Sequence, residues 1–300
     1  CIRDRVAADA DSLEMRREAL LVAGDLYEKS GSEAEAVRVD LGYIEEFPGP
    51  LETAVEIRFK VAGNFERRGA MEDYRGQLRA IVEADATAGN ERTDRTRYLA
   101  AQSSLVLTQP LYEEFARLEL NQPFEDSLAR KKTLMATALA ECEALVAYEV
   151  SEVTAAATYY LAEIYRNFSQ ALLDSERPVG LSAADLAAYE MVIEEEAYPF
   201  EEQSIAVHEE NLELIRTGVL NGWVQKSLDE LALLMPARYA KSELSSGFVG
   251  NIDHYAYQAP FVPEPVPEVS GQELGMRSAP AAQAGEESLI SPTDLELDDA

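Results

Sequence analysis

Cysteine and histidine are scarce in this chain of 300 residues, and basic residues are few. Two cysteines, Cys1 and Cys142, and two histidines are present, so the sequence predicts neither a disulfide framework nor a Cys/His metal site. No run of about 18 apolar residues occurs, which predicts that no segment spans a membrane. The 26 Lys and Arg residues against 56 Asp and Glu give a formal net charge of −30. That charge disfavours binding to nucleic acid or to anionic lipid.

Sequence motifs for catalysis are also missing. The chain has no P-loop, no GxGxxG and no GxSxG motif. The run from His208 to Asn211 begins like a zinc-protease helix, but Leu212 stands where the second histidine is required. His208 is therefore expected to be an exposed or partly buried helix residue. We predict no catalytic residue, no metal and no cofactor, and hence that the protein is not an enzyme.

Two charged clusters have a structural interpretation. Glu194–Glu196 and Glu201–Glu202 flank Tyr198-Pro199, and we interpret these carboxylates as a solvated helix surface rather than an acid/base pair. Pro199 is expected to lie in the first turn of a new helix. The densest basic cluster, Arg130-Lys131-Lys132, is predicted to lie at the surface and to balance charge within the chain, with an acidic partner as the alternative.

The residues that are abundant, Ala, Leu and Glu, favour helices, and Gly and Pro divide the helical pattern into hairpins. Turns are predicted at Ser30-Gly31-Ser32, at Pro48-Gly49-Pro50 and at Gly69. Residues 10–90 are predicted to form two hairpins, and residues 95–242 further, less regular ones. Residues 243–300 are acidic and rich in Pro, and are predicted to be a mostly disordered tail.

The first two hairpins repeat each other. Tyr27 aligns with Phe65 at an offset of 38 residues, so that Gly24 corresponds to Ala62. Gly24 and Ala36 are small because, in such a hairpin, two helices are expected to pass closely there. The units resemble tetratricopeptide repeats, whose usual length is 34 residues. This resemblance implies an all-α fold in which hairpins stack into an α-solenoid.

A more specific resemblance covers residues 150–241, from EVTAAATYYLAEIYRNFSQALLDSERP to WVQKSLDELALLMPARYAK. This block is similar to tetratricopeptide proteins of Gram-negative envelopes that are related to the adventurous gliding motility machinery. The resemblance implies a scaffold in the periplasm or envelope. It also implies protein partners of the TolQ/TolR or ExbB/ExbD type.

In a stacked array, the first helix of each hairpin lines a concave groove. The residues expected to face a partner peptide there are Glu18, Leu21, Asp25 and Lys29 in the first unit, and Glu56, Phe59, Gly63 and Arg67 in the second. Leu21 and Phe59 would hold an apolar side chain, and the acids would hold basic groups. The alternative is that the groove is filled by the chain's own tail or by a neighbouring helix.

Three functional hypotheses remain open from the sequence. The first is the envelope scaffold. The second is a helical-bundle enzyme or ligand-binding protein with a pocket around Tyr159, Tyr160, Tyr165 and His208. The third is a cytoplasmic regulator that binds peptides in the same groove. Because the chain begins with Cys1 rather than Met, a lipid anchor at Cys1 and a fragment boundary are both considered, and the second is favoured.

Overall fold

The computed structural model describes residues 12–241, and the regular secondary structure in that range is helical. The predicted tail, and Cys1 with the lipid anchor considered there, lie outside the described residues. The helices are α1 (Leu13–Lys29), α2 (Glu33–Glu46), α3 (Leu51–Arg67), α4 (Met71–Thr87), α5 (Asp94–Arg117), α6 (Phe124–Val146), α7 (Ser151–Leu173), α8 (Ala183–Glu213), α9 (Gly222–Leu234) and the short α10 (Pro236–Tyr239). The all-α fold class is confirmed for these residues.

The first three helices end at the turns that the Gly and Pro residues predicted. Gly31 and Gly69 have φ of 74° and 70°, a conformation that glycine adopts without a steric cost, and each directly follows an odd-numbered helix. Ser182 caps α8 by accepting a hydrogen bond from the Asp185 backbone NH, a role that serine commonly has at the start of a helix. The predicted turns at Ser30-Gly31-Ser32, Pro48-Gly49-Pro50 and Gly69 therefore lie between helices, as expected.

Each helix packs on its neighbours in sequence, and the substantial next-but-one contacts among residues 12–241 join α3 to α5, α5 to α7 and α7 to α9. The core follows the same order. One cluster joins α1, α2 and α3 around Tyr43 and Val61, and the next joins α3, α4 and α5 around Leu78 and Leu99. The cluster around Phe168 joins α5 to α8. The odd-numbered helices from α3 to α9 thus form one row, and the even-numbered helices pack against it.

Gly24 is small for a reason that the sequence only partly predicted. Its neighbours Ala23 and Ala36 are fully buried between α1 and α2, as expected for a close approach. A Cβ built on Gly24, however, meets the side chain of Asp40 rather than the backbone of α2. Asp40 is itself buried and lies 3.1 Å from Lys60 Nζ. Gly24 therefore makes room for a buried carboxylate that is paired with a lysine.

Substituting Gly24 with alanine is expected to lower the free energy of unfolding by about 1 to 2 kcal/mol, because the new methyl group displaces the Asp40 carboxylate. The better helix propensity of alanine, about 1 kcal/mol, is already included in that net value. Gly42→Ala in α2, where a built Cβ meets nothing within 4 Å, should instead stabilise by about 0.5 to 1 kcal/mol. Urea denaturation of both variants measures the change in the free energy of unfolding. A change of the same sign in the two variants would contradict the steric role of Gly24.

The expected helix start at Pro199 is wrong, because α8 runs without interruption through that residue. A proline inside a helix leaves the carbonyl four residues earlier without its donor, and this cost must be offset by packing. Ala197 is buried, and the ring of Phe200 lies 4.6 Å from that of Phe168 on α7. These contacts hold the helix on both sides of Pro199.

Candidate functional site

The residues expected to face a partner lie on α1 and α3, and most of them are exposed. Glu18, Asp25 and Lys29 are exposed on α1. Leu21, in contrast, is half-buried, because it packs against the core cluster around Tyr43. In the first unit, the candidate surface therefore consists mainly of charged side chains.

On α3, the same surface carries an exposed aromatic ring. Phe59 is 39 % exposed, and Glu56 lies one turn before it. Glu56 Oε1 accepts a hydrogen bond from Arg95 Nε on α5 at 2.9 Å, and the Arg95 guanidinium lies 5.7 Å from the ring centre of Tyr98. Tyr98 is 37 % exposed. An ion pair thus links two neighbouring odd-numbered helices, and on each helix an exposed ring follows the ion pair by one turn.

Further cross-helix contacts extend this surface in both directions. Lys60 Nζ on α3 lies 3.2 Å from Asp25 Oδ1 on α1. Gln102 on α5 donates a hydrogen bond to Glu152 at the start of α7 over 3.2 Å. Arg67 at the end of α3 lies 3.7 Å from Glu33 Oε1 on α2, so it points toward an even-numbered helix. We call the exposed side of α1, α3 and α5 around Phe59 and Tyr98 the odd-helix surface.

Beside the odd-helix surface, the buried Asp40 pairs with the half-buried Lys60, a contact that sequence reasoning missed. Burial raises the pKa of the Asp40 carboxyl, and the Lys60 ammonium opposes that increase. Burial would lower the pKa of Lys60, but the carboxylates of Asp40, Asp25 and Glu28 outweigh it, and the pKa is raised. A signal was available, because Asp40 falls among Ala36, Val37, Tyr43 and Ile44 on the apolar face of α2.

The expected surface position of the basic cluster is wrong for Lys131, which is fully buried. Its Nζ donates hydrogen bonds to the carbonyls of Phe115 at 3.1 Å and Leu118 at 2.7 Å, and to Asn167 Oδ1 at 2.8 Å. The two carbonyls belong to the C-terminal end of α5, where helical donors are missing and a positive charge is favoured. Lys131 therefore caps α5, and burial lowers its pKa to about 8.

A cavity of about 320 Å³ lies beside Lys131 and is lined by Glu119, Asn167, Gln170 and Asp174 among others. All three protons of the ammonium are already donated, so little of its hydrogen-bonding capacity is left for a ligand. Position 131 could have been assigned to the core from sequence, because it lies on the stripe that continues with Met135, Ala138 and Cys142. Arg130 and Lys132 are exposed, as expected.

His208 is also fully buried, rather than exposed or partly buried as expected, because it lies on the face of α8 that packs on α7 and α9. Its Nδ1 lies 3.2 Å from Ser227 Oγ on α9, and its Nε2 lies 3.4 Å from Glu163 Oε1 on α7. Asn211 Nδ2 donates hydrogen bonds to Ser227 Oγ at 2.8 Å and to the Ala155 carbonyl at 3.1 Å.

A serine, an imidazole and a carboxylate in this order resemble the arrangement by which hydrolases activate a nucleophile. Ser227 and His208 are both 0 % exposed, however, and Ser227 Oγ also accepts the hydrogen bond from Asn211. A substrate carbonyl has no access to that oxygen in this conformation. The arrangement acts here as a polar core that fixes α7, α8 and α9 relative to one another.

The residues named for the alternative pocket are only partly brought together. The ring of Tyr159 lies 5.7 Å from that of His208, and Trp223 packs against Tyr159 and Tyr160 at 5.6 and 5.4 Å. Trp223 is half-buried in the first turn of α9, as expected for a terminal packing residue. Tyr165 instead lines a separate cavity of about 380 Å³ with Leu161 and Val207.

Within residues 12–241, no three His, Cys, Asp or Glu side chains are grouped so that they could hold a metal ion. In that range, too, every helix is either too short or too polar to cross a bilayer. The acids around Tyr198 are mostly exposed, as predicted.

No protein-family model matches the chain, and no curated protein matches it significantly.

Proposed function

We propose that the protein is a non-catalytic scaffold built from tetratricopeptide-like hairpins, which binds a peptide or helix of a partner protein along the odd-helix surface. The next-but-one contacts of α3, α5 and α7 support an α-solenoid, because stacked hairpins bring the first helix of each unit together in this way. The face of these helices that points away from the even-numbered row is then the concave groove.

The observation that carries the proposal is the pair of exposed rings, Phe59 and Tyr98. Aromatic side chains held on rigid helices are frequent anchors of protein interfaces, because they bury a large area at a small entropic cost. The ion pair of Glu56 and Arg95 lies between the two helices and offers groups of both signs to a peptide. These features fit an extended peptide or a helix better than a small ligand.

The proposal includes an envelope location, with partners of the TolQ/TolR or ExbB/ExbD type. Its support is the resemblance of residues 150–241 to envelope proteins related to the adventurous gliding motility machinery. The acidic character of the chain, with its net charge of −30, fits partners that present basic segments.

The scaffold proposal predicts that Phe59→Glu/Tyr98→Glu loses its partners. Crosslinking in the cells that produce the protein, followed by affinity capture and mass spectrometry, should recover those partners at about one tenth of the parent level or less, because anchor residues contribute most of the binding free energy. Leu21 is unsuitable for this test, since it also packs against the core.

The matched control is Met71→Glu/Val146→Glu, which adds the same charge at positions 41 % and 37 % exposed on α4 and α6. It should recover the partners as the parent does. Equal recovery by both double variants would contradict the odd-helix surface as the binding site. Recovery of no specific partner by the parent would contradict the scaffold role itself.

A further inference from the structure

The side of α8 that points away from α7 is exposed over five turns. Ile193 and Ala197 are buried against the cluster around Phe168, whereas Met191 is 68 % and Tyr198 57 % exposed. Met191 and Tyr198 are seven residues apart, so they lie on one side of the helix. We call this side the Met191 face; it comprises Ala184, Ala188, Met191, Glu195, Tyr198 and Glu202.

Carboxylates are interleaved with the apolar residues of the Met191 face. Glu195 follows Met191 by four residues, and Glu202 follows Tyr198 by four, so both lie beside the apolar side chains. The whole of α8 contains ten Asp or Glu residues and no Lys or Arg. Tyr198 OH donates to Glu202 Oε1 at 2.7 Å, but across residues 12–241 no cation pairs with Glu195 or Glu202.

Residues of the chain itself cover Glu209, the next position on this side of α8. Glu209 follows Glu202 by seven residues and thus continues the same side of α8. There Arg238 Nη1 of α10 lies 2.6 Å from Glu209 Oε1, and Tyr239 OH donates to the same oxygen at 2.7 Å. A basic and an aromatic side chain therefore already engage this side of α8 at its C-terminal end, while the positions toward the N-terminus have no such cover in residues 12–241.

We propose that the Met191 face docks an amphipathic helix of a partner protein, one that carries Lys or Arg beside its apolar residues. Burial of Met191 and Tyr198 supplies the hydrophobic contribution, and the partner's cations pair with Glu195 and Glu202 as Arg238 pairs with Glu209. This surface lies on an even-numbered helix. It is separate from the odd-helix surface and does not depend on the function proposed for it.

Charge and length favour this occupant over a second copy of the chain. Two Met191 faces brought together would place glutamates against glutamates, and repulsion between them would oppose the hydrophobic contact. The stretch from Ala184 to Glu202 spans about 27 Å at the rise of an α-helix, which accommodates five turns of a partner helix. The face is preformed on a continuous helix, so binding orders little of this protein.

The test uses the full chain and a synthetic 21-residue peptide of three heptads, with Leu at positions a and d and Lys at e and g. Fluorescence anisotropy at physiological salt should show binding to the parent. Met191→Asp/Tyr198→Asp should weaken it by about tenfold or more. Ala136→Asp/Ala140→Asp, on an exposed side of α6, adds the same charge and should bind like the parent.

Reversing the charge of the two glutamates tests whether they pair with the cations of the peptide. Glu195→Lys/Glu202→Lys should prefer a peptide with Glu in place of Lys, whereas Glu45→Lys/Glu83→Lys, at exposed positions elsewhere, should keep the parent's preference. Equal effects of the matched variants, or no binding to the parent at about 1 mM peptide, would overturn the proposal. A parent dimer in sedimentation that Met191→Asp/Tyr198→Asp abolishes would also overturn it, since the face would then hold a second copy.

Discussion

Replacing Lys131 with methionine is expected to lower the free energy of unfolding at neutral pH by about 2 to 4 kcal/mol. The methionine retains an apolar chain of similar length, so the change mainly removes the ammonium. The carbonyls of Phe115 and Leu118 and the amide oxygen of Asn167 then lose their shared donor. Urea denaturation followed by far-UV circular dichroism measures the effect.

The difference in the free energy of unfolding between the parent and Lys131→Met should also depend on pH. Burial lowers the pKa of Lys131 from 10.5 to about 8, so below that value the native protein bears the full cost of a buried charge. As the pH rises from there toward 10.5, the unfolded chain keeps a proton that the native protein releases, and the contribution of Lys131 to stability increases. Between about pH 7.5 and about pH 9.5, the gap between parent and Lys131→Met should widen by about 2 kcal/mol.

Lys132→Met provides the control, because Lys132 is the exposed neighbour in the same basic cluster. It should change stability by less than about 0.5 kcal/mol at any of these pH values. A Lys131→Met variant as stable as the parent at neutral pH would mean that the three hydrogen bonds contribute no net stability. A gap that stays constant with pH would mean that Lys131 keeps an ordinary pKa in the native protein.

His208→Ala is expected to destabilise the protein by about 3 kcal/mol. The ring is fully buried, so its removal leaves a cavity beside Tyr159 and takes a partner from both Ser227 and Glu163. His208→Phe keeps most of the ring volume and should cost less, about 1 to 2 kcal/mol. The smaller cost reflects that Ser227 retains its hydrogen bond from Asn211. Thermal and urea unfolding of both variants separates the packing contribution from the polar one.

Gln203→Ala, at an exposed position of the same helix, should be within about 0.5 kcal/mol of the parent. A comparable loss in His208→Ala and Gln203→Ala would contradict the structural role of the polar core. The enclosed Ser227 should also resist a fluorophosphonate probe, which modifies activated serines. Modification of Ser227 by that probe would favour the enzyme hypothesis over the scaffold.

Most helix boundaries could be predicted from the sequence because they depend on local backbone chemistry. Gly31 and Gly69 end helices by adopting positive φ, and Ser182 starts one by accepting a backbone hydrogen bond. The helix start predicted at Pro199 is wrong because the structure there depends on a contact that is distant in sequence. The packing that carries α8 through this residue comes from Phe168 on α7, thirty-one positions earlier in the chain, and no local pattern reveals such a contact.

The candidate surfaces were predictable only at the level of which side chains are exposed. Repeat spacing placed Asp25 and Phe59 correctly at the surface, but their partners depend on the offset between helices, which a single sequence does not contain. Burial of Lys131 and His208 was not predicted, because Lys131 belongs to a basic cluster and His208 to a run that begins like a zinc-protease helix. Their positions on the apolar stripes of α6 and α8 were the better indication of burial.

The preference of each helix for its neighbours in sequence also has a consequence for how the chain folds. Contacts between elements that are close along the chain require only short loops to close, which favours rapid folding. A pair of neighbouring helices can therefore form early and serve as the template on which the next helix packs. A substitution that destabilises one helix should accordingly affect mainly the helices beside it in sequence.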